Sequence, residues 1–136
     1  MRPVEFTEIY KCLGDASRVR ILNLLGSGPL CGCHFMEALG LDQVKISKHL
    51  NYMRRLGVLT AEREANWMIY RLAEPVPPLL TDNLASLLRY QEEALPFDED
   101  NARLSAILKR LADEKQACPK SVSQSTLASA CCLTTT

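Results

Sequence analysis

Residues 41–57, "LDQVKISKHLNYMRRLG", decide the fold. Ile46, Leu50 and Met53 fall at i, i+4 and i+7, a single apolar stripe at helical spacing, while most of the remaining positions are polar or basic. Asp42 can cap a helix running from about 43 to 55, and Gly57 can close it in the left-handed conformation that favours glycine. The outward residues Gln43, Lys45, Ser47, Lys48, His49 and Asn51 carry donors suited to base edges and phosphates, with the N-terminal half nearer the bases. Arg54 and Arg55 lie at the far end, where phosphate contact and compensation of the helix dipole are both open. Taken alone, the same helix could simply present a solvated basic face, so its neighbours have to decide.

Upstream, residues 4–13 and 16–25 read as helices, the second capped by Asp15 and buried through Val19, Ile21, Leu22, Leu24 and Leu25. "GSGP" at 26–29 stops it, and a short helix follows over 31–38, with Phe35, Met36 and Leu39 inward and Gly40 as its stop. Downstream, "VLTAER" (58–63) and "WMIYRL" (67–72) flank the turn Glu64, Ala65, Asn66 and read as a hairpin. Two short helices, a tight turn and a hairpin predict a winged helix-turn-helix: a mainly α fold with a small β-hairpin wing, on which Arg63 and Arg71 add positive charge. After "EPVPP" (74–78), helices are expected over 79–94, with Leu80, Leu84, Leu87 and Leu88 on one side, and over 96–116, capped by Asp98 or Asp100 with Leu104, Ile107, Leu108 and Leu111 as its stripe. These stripes exceed what so small a core can bury, and a second copy of the chain would cover the surplus. The expected organisation is a DNA-binding and dimerisation domain over 1–95, a dimer-associated C-terminal helix over 96–118, and a disordered tail over 119–136, where eight of the last sixteen residues are Ser or Thr.

Sixteen basic and sixteen acidic residues cancel, but their placement does not. Residues 1–42 sum to −1, residues 43–71 to +4 and residues 72–136 to −3, as expected if only the central block faces an anion. One winged domain meets few phosphates, so tight binding at cellular salt calls for a homodimer. Two-fold symmetry would then set its reading helices about 34 Å apart on a pseudo-palindromic duplex operator. The N-terminus lacks a continuous apolar segment, and no stretch approaches the roughly 18 apolar residues of a membrane span. We therefore expect a cytoplasmic chain with no membrane partner, whose six cysteines are reduced, metal-binding or redox-sensing rather than a disulfide framework.

The chain resembles the ArsR/SmtB family of metal-responsive bacterial repressors in "KCLGDASRVRILNLL" (11–25), "LCGCHFMEALG" (30–40), "VKISKHLNYMRRLGVL" (44–59) and "WMIYRL" (67–72), a likeness spanning roughly residues 5–95. The resemblance implies a homodimer held by its first and C-terminal helices and bound to its own operon's promoter until an inducer releases it. No cofactor is expected for DNA binding. "PLCGCHF" (29–35) is similar to the thiol motif of the arsenic-responsive branch, which implies Cys31 and Cys33 as ligands of As(III) or Sb(III). In that branch a third cysteine follows the second by three residues, whereas Met36 stands there in this chain. Cys12, Cys118, Cys131 and Cys132 are the candidates for a third ligand, with core packing weighed for Cys12 and an incidental role for the tail pair. Family members that sense zinc through their C-terminal helix use histidines there, and residues 79–116 contain none.

Thiolates favour soft centres such as As(III), Sb(III), Zn(II) and Cu(I). On a regular helix Cys31 and Cys33 would project roughly 200° apart, so shared coordination is expected to need a distorted first turn. Straining that turn would move the reading helix. His34 is expected on the exposed side of its helix. The main alternative is a repressor that senses oxidants or reactive sulfur through the same thiols; constitutive DNA binding with incidental cysteines is another. An enzyme is disfavoured, since no C-x-x-C motif, Gly-rich phosphate loop or nucleophile–base pair stands out.

Overall fold

The computed structural model describes residues 6–65, 67–90 and 96–113. Its elements are α1 (Phe6–Leu13), α2 (Ala16–Leu25), β1 (Leu30–Cys31), α3 (Gly32–Leu39), α4 (Gln43–Leu56), β2 (Leu59–Glu64), β3 (Trp67–Leu72), α5 (Pro78–Arg89) and α6 (Phe97–Asp113). Two of the caps form where the side chains foretell them. Asp15 accepts from the backbone N–H of Ser17 and Arg18 at 2.8 and 3.3 Å, and Asp42 accepts from Lys45 N–H at 2.9 Å. Each satisfies donors that the first helical turn leaves open. Gly40 and Gly57 close α3 and α4 at φ 68° and 93°, a region that costs glycine little.

Ile46, Leu50 and Met53 of α4 are all buried, as the stripe requires. They meet Phe35, Ala38 and Leu39 of α3 and Ile21, Leu22 and Leu24 of α2 in one core, to which Val58, Leu59 and Ile69 of the wing region and Leu80 of α5 also belong. Burying each such side chain stabilises the fold by about 1.5–3 kcal/mol. From α6, Leu104, Ile107 and Leu108 enter the same core.

The structure departs from the expectation in two places outside the thiol site. The wing has three strands, in the order β1-β3-β2, because Leu30 and Cys31 pair antiparallel with Tyr70 and Ile69 of β3. A two-residue strand after a proline has no periodicity by which to announce itself. The second departure is Asp100, which does not cap the last helix. It is fully buried three residues inside α6 and takes a two-pronged ion pair from Arg20 of α2, at 2.8 and 2.9 Å. The same guanidinium donates to Leu39 O at 3.2 Å, and Arg103 donates to Ala38 O, so two arginines satisfy open carbonyls of the last turn of α3. Arg110 adds an ion pair to Glu37. α6 is thereby fastened to the helix that carries Cys33. No helix among the described residues is long and apolar enough to cross a membrane.

Candidate dithiol site and nucleic-acid interface

Cys31 is not a residue of α3. Its backbone is extended, at φ −78° and ψ 150°, and it occupies the N-cap while Cys33 stands in the first turn. This removes the opposed projection expected of two helical positions. The two sulfurs lie 3.3 Å apart, with the Cys33 thiol donating to Cys31 Sγ. No unwinding is needed to bring them together.

The pair shares its charge unequally. The hydrogen bond from Cys33 holds the Cys31 thiol down to about 6 against the opposing effect of burial, with further help from the backbone N–H groups of Cys33, Met68 and Gly32. Cys33 is driven up by the same bond, by burial and by the negative charge that Cys31 then carries. The arrangement favours the thiolate on Cys31, at the helix N-terminus, with the Cys33 thiol hydrogen-bonded to it.

His34, expected at the surface, is 3% exposed. Its Nδ1 accepts from the Cys31 backbone N–H at 3.2 Å, which leaves the proton of the neutral ring on Nε2. Cys31 and His34 thus stand in the i, i+3 relation of a capping box, with cysteine and histidine in place of the usual serine and glutamate. Burial lowers the His34 pKa from 6.5 to about 4. Between those values the unfolded chain binds a proton that the folded chain excludes. The stabilisation is therefore fully present above pH 6.5 and lost as pH falls towards 4, about 3 kcal/mol in all. In the ligand-free protein, urea unfolding at pH 7.5 and 4.5 is expected to show this loss in wild type and a smaller one in His34→Gln. Equal losses would mean that other groups carry the acid sensitivity.

Beside the sulfurs lies a cavity of about 290 Å³, walled by Met36 of α3, Gln43, Ile46, Ser47 and Leu50 of α4, and Met68 and Tyr70 of β3. Phe35 braces the Tyr70 ring edge to face, at 6.3 Å between centroids. The cavity therefore touches the thiol helix, the next helix and the wing at once. Met68 and Tyr70 had no local signal, since strand pairing alone brings them there.

On α4, the side chains of Gln43, Lys45, Ser47, Lys48, Asn51, Arg54 and Arg55 are exposed, as is Arg63 on β2. Lys48, Asn51 and Arg54 line an open concavity together with His49 and Arg18 of α2. His49 is half-buried, 3.9 Å from Asp15, and Arg71 lies 3.9 Å from Glu62, so both face neighbouring side chains. Arg18, which the sequence left unassigned, stacks over Tyr52 at 4.5 Å and donates to the Cys12 and Lys11 carbonyls at the end of α1. Cys12 itself is fully buried, and burial pushes its thiol up to about 11. It belongs to the core and does not approach the pair closely enough to form a ligand cluster; no group of three His, Cys, Asp or Glu side chains suited to a metal occurs among the described residues. Cys118, Cys131 and Cys132 lie outside the described residues.

Comparison with known proteins bears out the resemblance. Residues 15–61 match the family described as "Bacterial regulatory protein, arsR family". The arsenic resistance transcriptional regulator ArsR1 of Pseudomonas putida is 37% identical over 91 residues, covering 66% of this chain and 71% of that protein. The arsenical resistance operon repressor of Escherichia coli is 30% identical over 118 residues, covering 82% of this chain and 93% of that one. Among solved structures, the homodimeric winged helix-turn-helix DNA-binding domain Mb0332 from Mycobacterium bovis superposes with a TM-score of 0.52 at 24% identity, covering 66% of this chain and 81% of that one, a likeness of fold. With α3 and α4 as the helix pair and β2–β3 as the wing, the chain belongs to the arsR family of bacterial regulatory proteins, DNA-binding regulators of transcription rather than enzymes.

Proposed function

We propose that the chain is a homodimeric repressor of a metalloid-resistance operon, released from its operator when As(III) or Sb(III) binds the Cys31 and Cys33 sulfurs. The observation that carries this reading is the shared cavity. The dithiol opens onto a space lined also by Gln43 and Ser47, in the half of α4 best suited to reading bases. Occupying the sulfurs and holding DNA thus engage the same helix, and coupling between two such sites is reciprocal.

The sulfur spacing supports shared coordination of one centre. With bonds of about 2.3 Å to sulfur, a tetrahedral centre spans two ligands about 3.8 Å apart, whereas a centre with an inter-bond angle near 90° spans about 3.3 Å. The free sulfurs stand 3.3 Å apart, so small side-chain rotations bring both onto one centre. Gln43, Lys45, Ser47, Lys48 and Asn51 would meet base edges and nearby phosphates, and Arg54 and Arg63 the backbone. His49 lines the concavity with Lys48, Asn51 and Arg54, and Arg71 adds charge on the wing. In the dimer, exposed Phe6 and Tyr10 on α1 offer apolar surface to the partner copy.

The test is fluorescence anisotropy of the protein on its promoter fragment, under reducing conditions, titrated separately with As(III), Sb(III), Cd(II) and Zn(II). Release by the two trivalent centres at lower concentration than by the divalent ions is expected. DNA binding that none of them disturbs would overturn the reading. The lowered pKa of Cys31 supports a second one, oxidation of the thiolate, which release by peroxide but not by arsenite would favour.

A further inference from the structure

A trivalent centre makes three bonds, and the site supplies two sulfurs. Among the described residues, the cavity offers no further thiol around the third direction. Met36 stands one helical turn beyond Cys33, and the inner wall continues with Ile46, Leu50 and Tyr70. Ile46 and Leu50 are each 2% exposed, whereas Gln43 and Ser47 are exposed at the mouth. A hydroxyl left on an inorganic centre and turned inward would face apolar surface and lose its hydration. A carbon substituent turned the same way would gain by burial. The space is ample: a cavity of about 150 Å³ suffices for benzene, and this one measures about 290 Å³. Methionine walls adapt to a guest of irregular shape.

We infer that the dithiol takes a trivalent arsenical carrying one organic substituent, with the substituent lodged in the apolar cavity between α3, α4 and β3. This rests on the sensor reading above and names its ligand class. The step is an exchange without redox. Two As–S bonds form, to Cys31 and Cys33, as two As–O bonds of R–As(OH)₂ break. The oxygens leave as two waters, which take up the Cys33 proton and one proton from solvent when Cys31 reacts as thiolate. Arsenic stays trivalent and keeps its carbon bond. The buried substituent presses on α4 and β3 together, so it acts as a wedge between the reading helix and the wing.

The test uses the full-length protein on its promoter fragment, titrated with phenylarsine oxide and with arsenite. Each midpoint is divided by the same compound's affinity for free dithiothreitol, to remove the intrinsic preference of any dithiol. After that correction phenylarsine oxide is expected to release DNA at least about tenfold more effectively, a ratio that burial of two methylene-sized pieces of apolar surface already supplies. Met36→Cys, which adds a third thiol, should shift the preference towards arsenite. Release by both compounds without a corrected preference overturns this inference and leaves the sensor intact. So does a Met36→Cys variant that gains equally for both. Release by neither overturns the sensor reading as well.

Discussion

Cys31→Ser is expected to abolish release by As(III) while leaving DNA binding unchanged. With both sulfurs present, the second As–S bond closes within the protein, and such linkage strengthens binding by roughly 10²–10⁴-fold. A lone Cys33 cannot recover this. The substitution should not disturb the fold. Cys31 occupies the N-cap of α3, where serine is among the preferred residues, and its backbone N–H stays available to His34. Cys33→Ser should lose release as well. Cys12→Ser should not lose it, because that thiol lies in the core away from the pair. Anisotropy titration of the three variants with arsenite checks the set. Normal release in Cys31→Ser, with DNA affinity equal to wild type, would move the inducer site elsewhere in the chain.

How much of this was legible follows from the range of the forces involved. α4 was readable in full because its stripe, its Asp42 cap and its Gly57 stop are all local, and each lies within one turn of the backbone group it serves. The family motifs were legible for the same reason. The geometry of the thiol pair was not. Extending a helix one residue too far turned Cys31 away from Cys33, whereas pairing of Leu30 and Cys31 with β3 holds Cys31 in extended backbone and lets the sulfurs meet. His34 was misplaced by the same error, since its burial follows from capping the residue that the strand holds. The cavity depends on Met68 and Tyr70, more than thirty residues away in sequence, and no periodicity encodes that approach. Asp100 looked like a cap because acidic residues cluster in the first turn of α6; the partner that decides its role, Arg20, lies eighty residues earlier.

That long-range pair gives the largest expected effect on stability. Arg20→Met leaves Asp100, which is fully buried, with only Arg103 at 3.5 Å as a cation. It also strips the Leu39 carbonyl of its donor at the end of α3. Removing one partner of a buried ion pair costs about 3–5 kcal/mol, chiefly because the remaining charge stays desolvated. Arg20→Met is therefore expected to lower the unfolding free energy by that amount in urea titration. The double variant Arg20→Met with Asp100→Leu removes both charges and should recover most of the loss, since a well-packed apolar pair often substitutes for a buried ionic one. A cost below about 1 kcal/mol for Arg20→Met, the value of an exposed pair, would show that water reaches Asp100. The consequence extends beyond stability. Arg20 and Arg103 both close the last turn of α3, and Arg110 holds Glu37 on the same helix, so α6 fixes the platform from which Cys33 meets Cys31. If that clamp sets the sulfur spacing, the double variant should fold and bind DNA, yet need more As(III) for release than wild type.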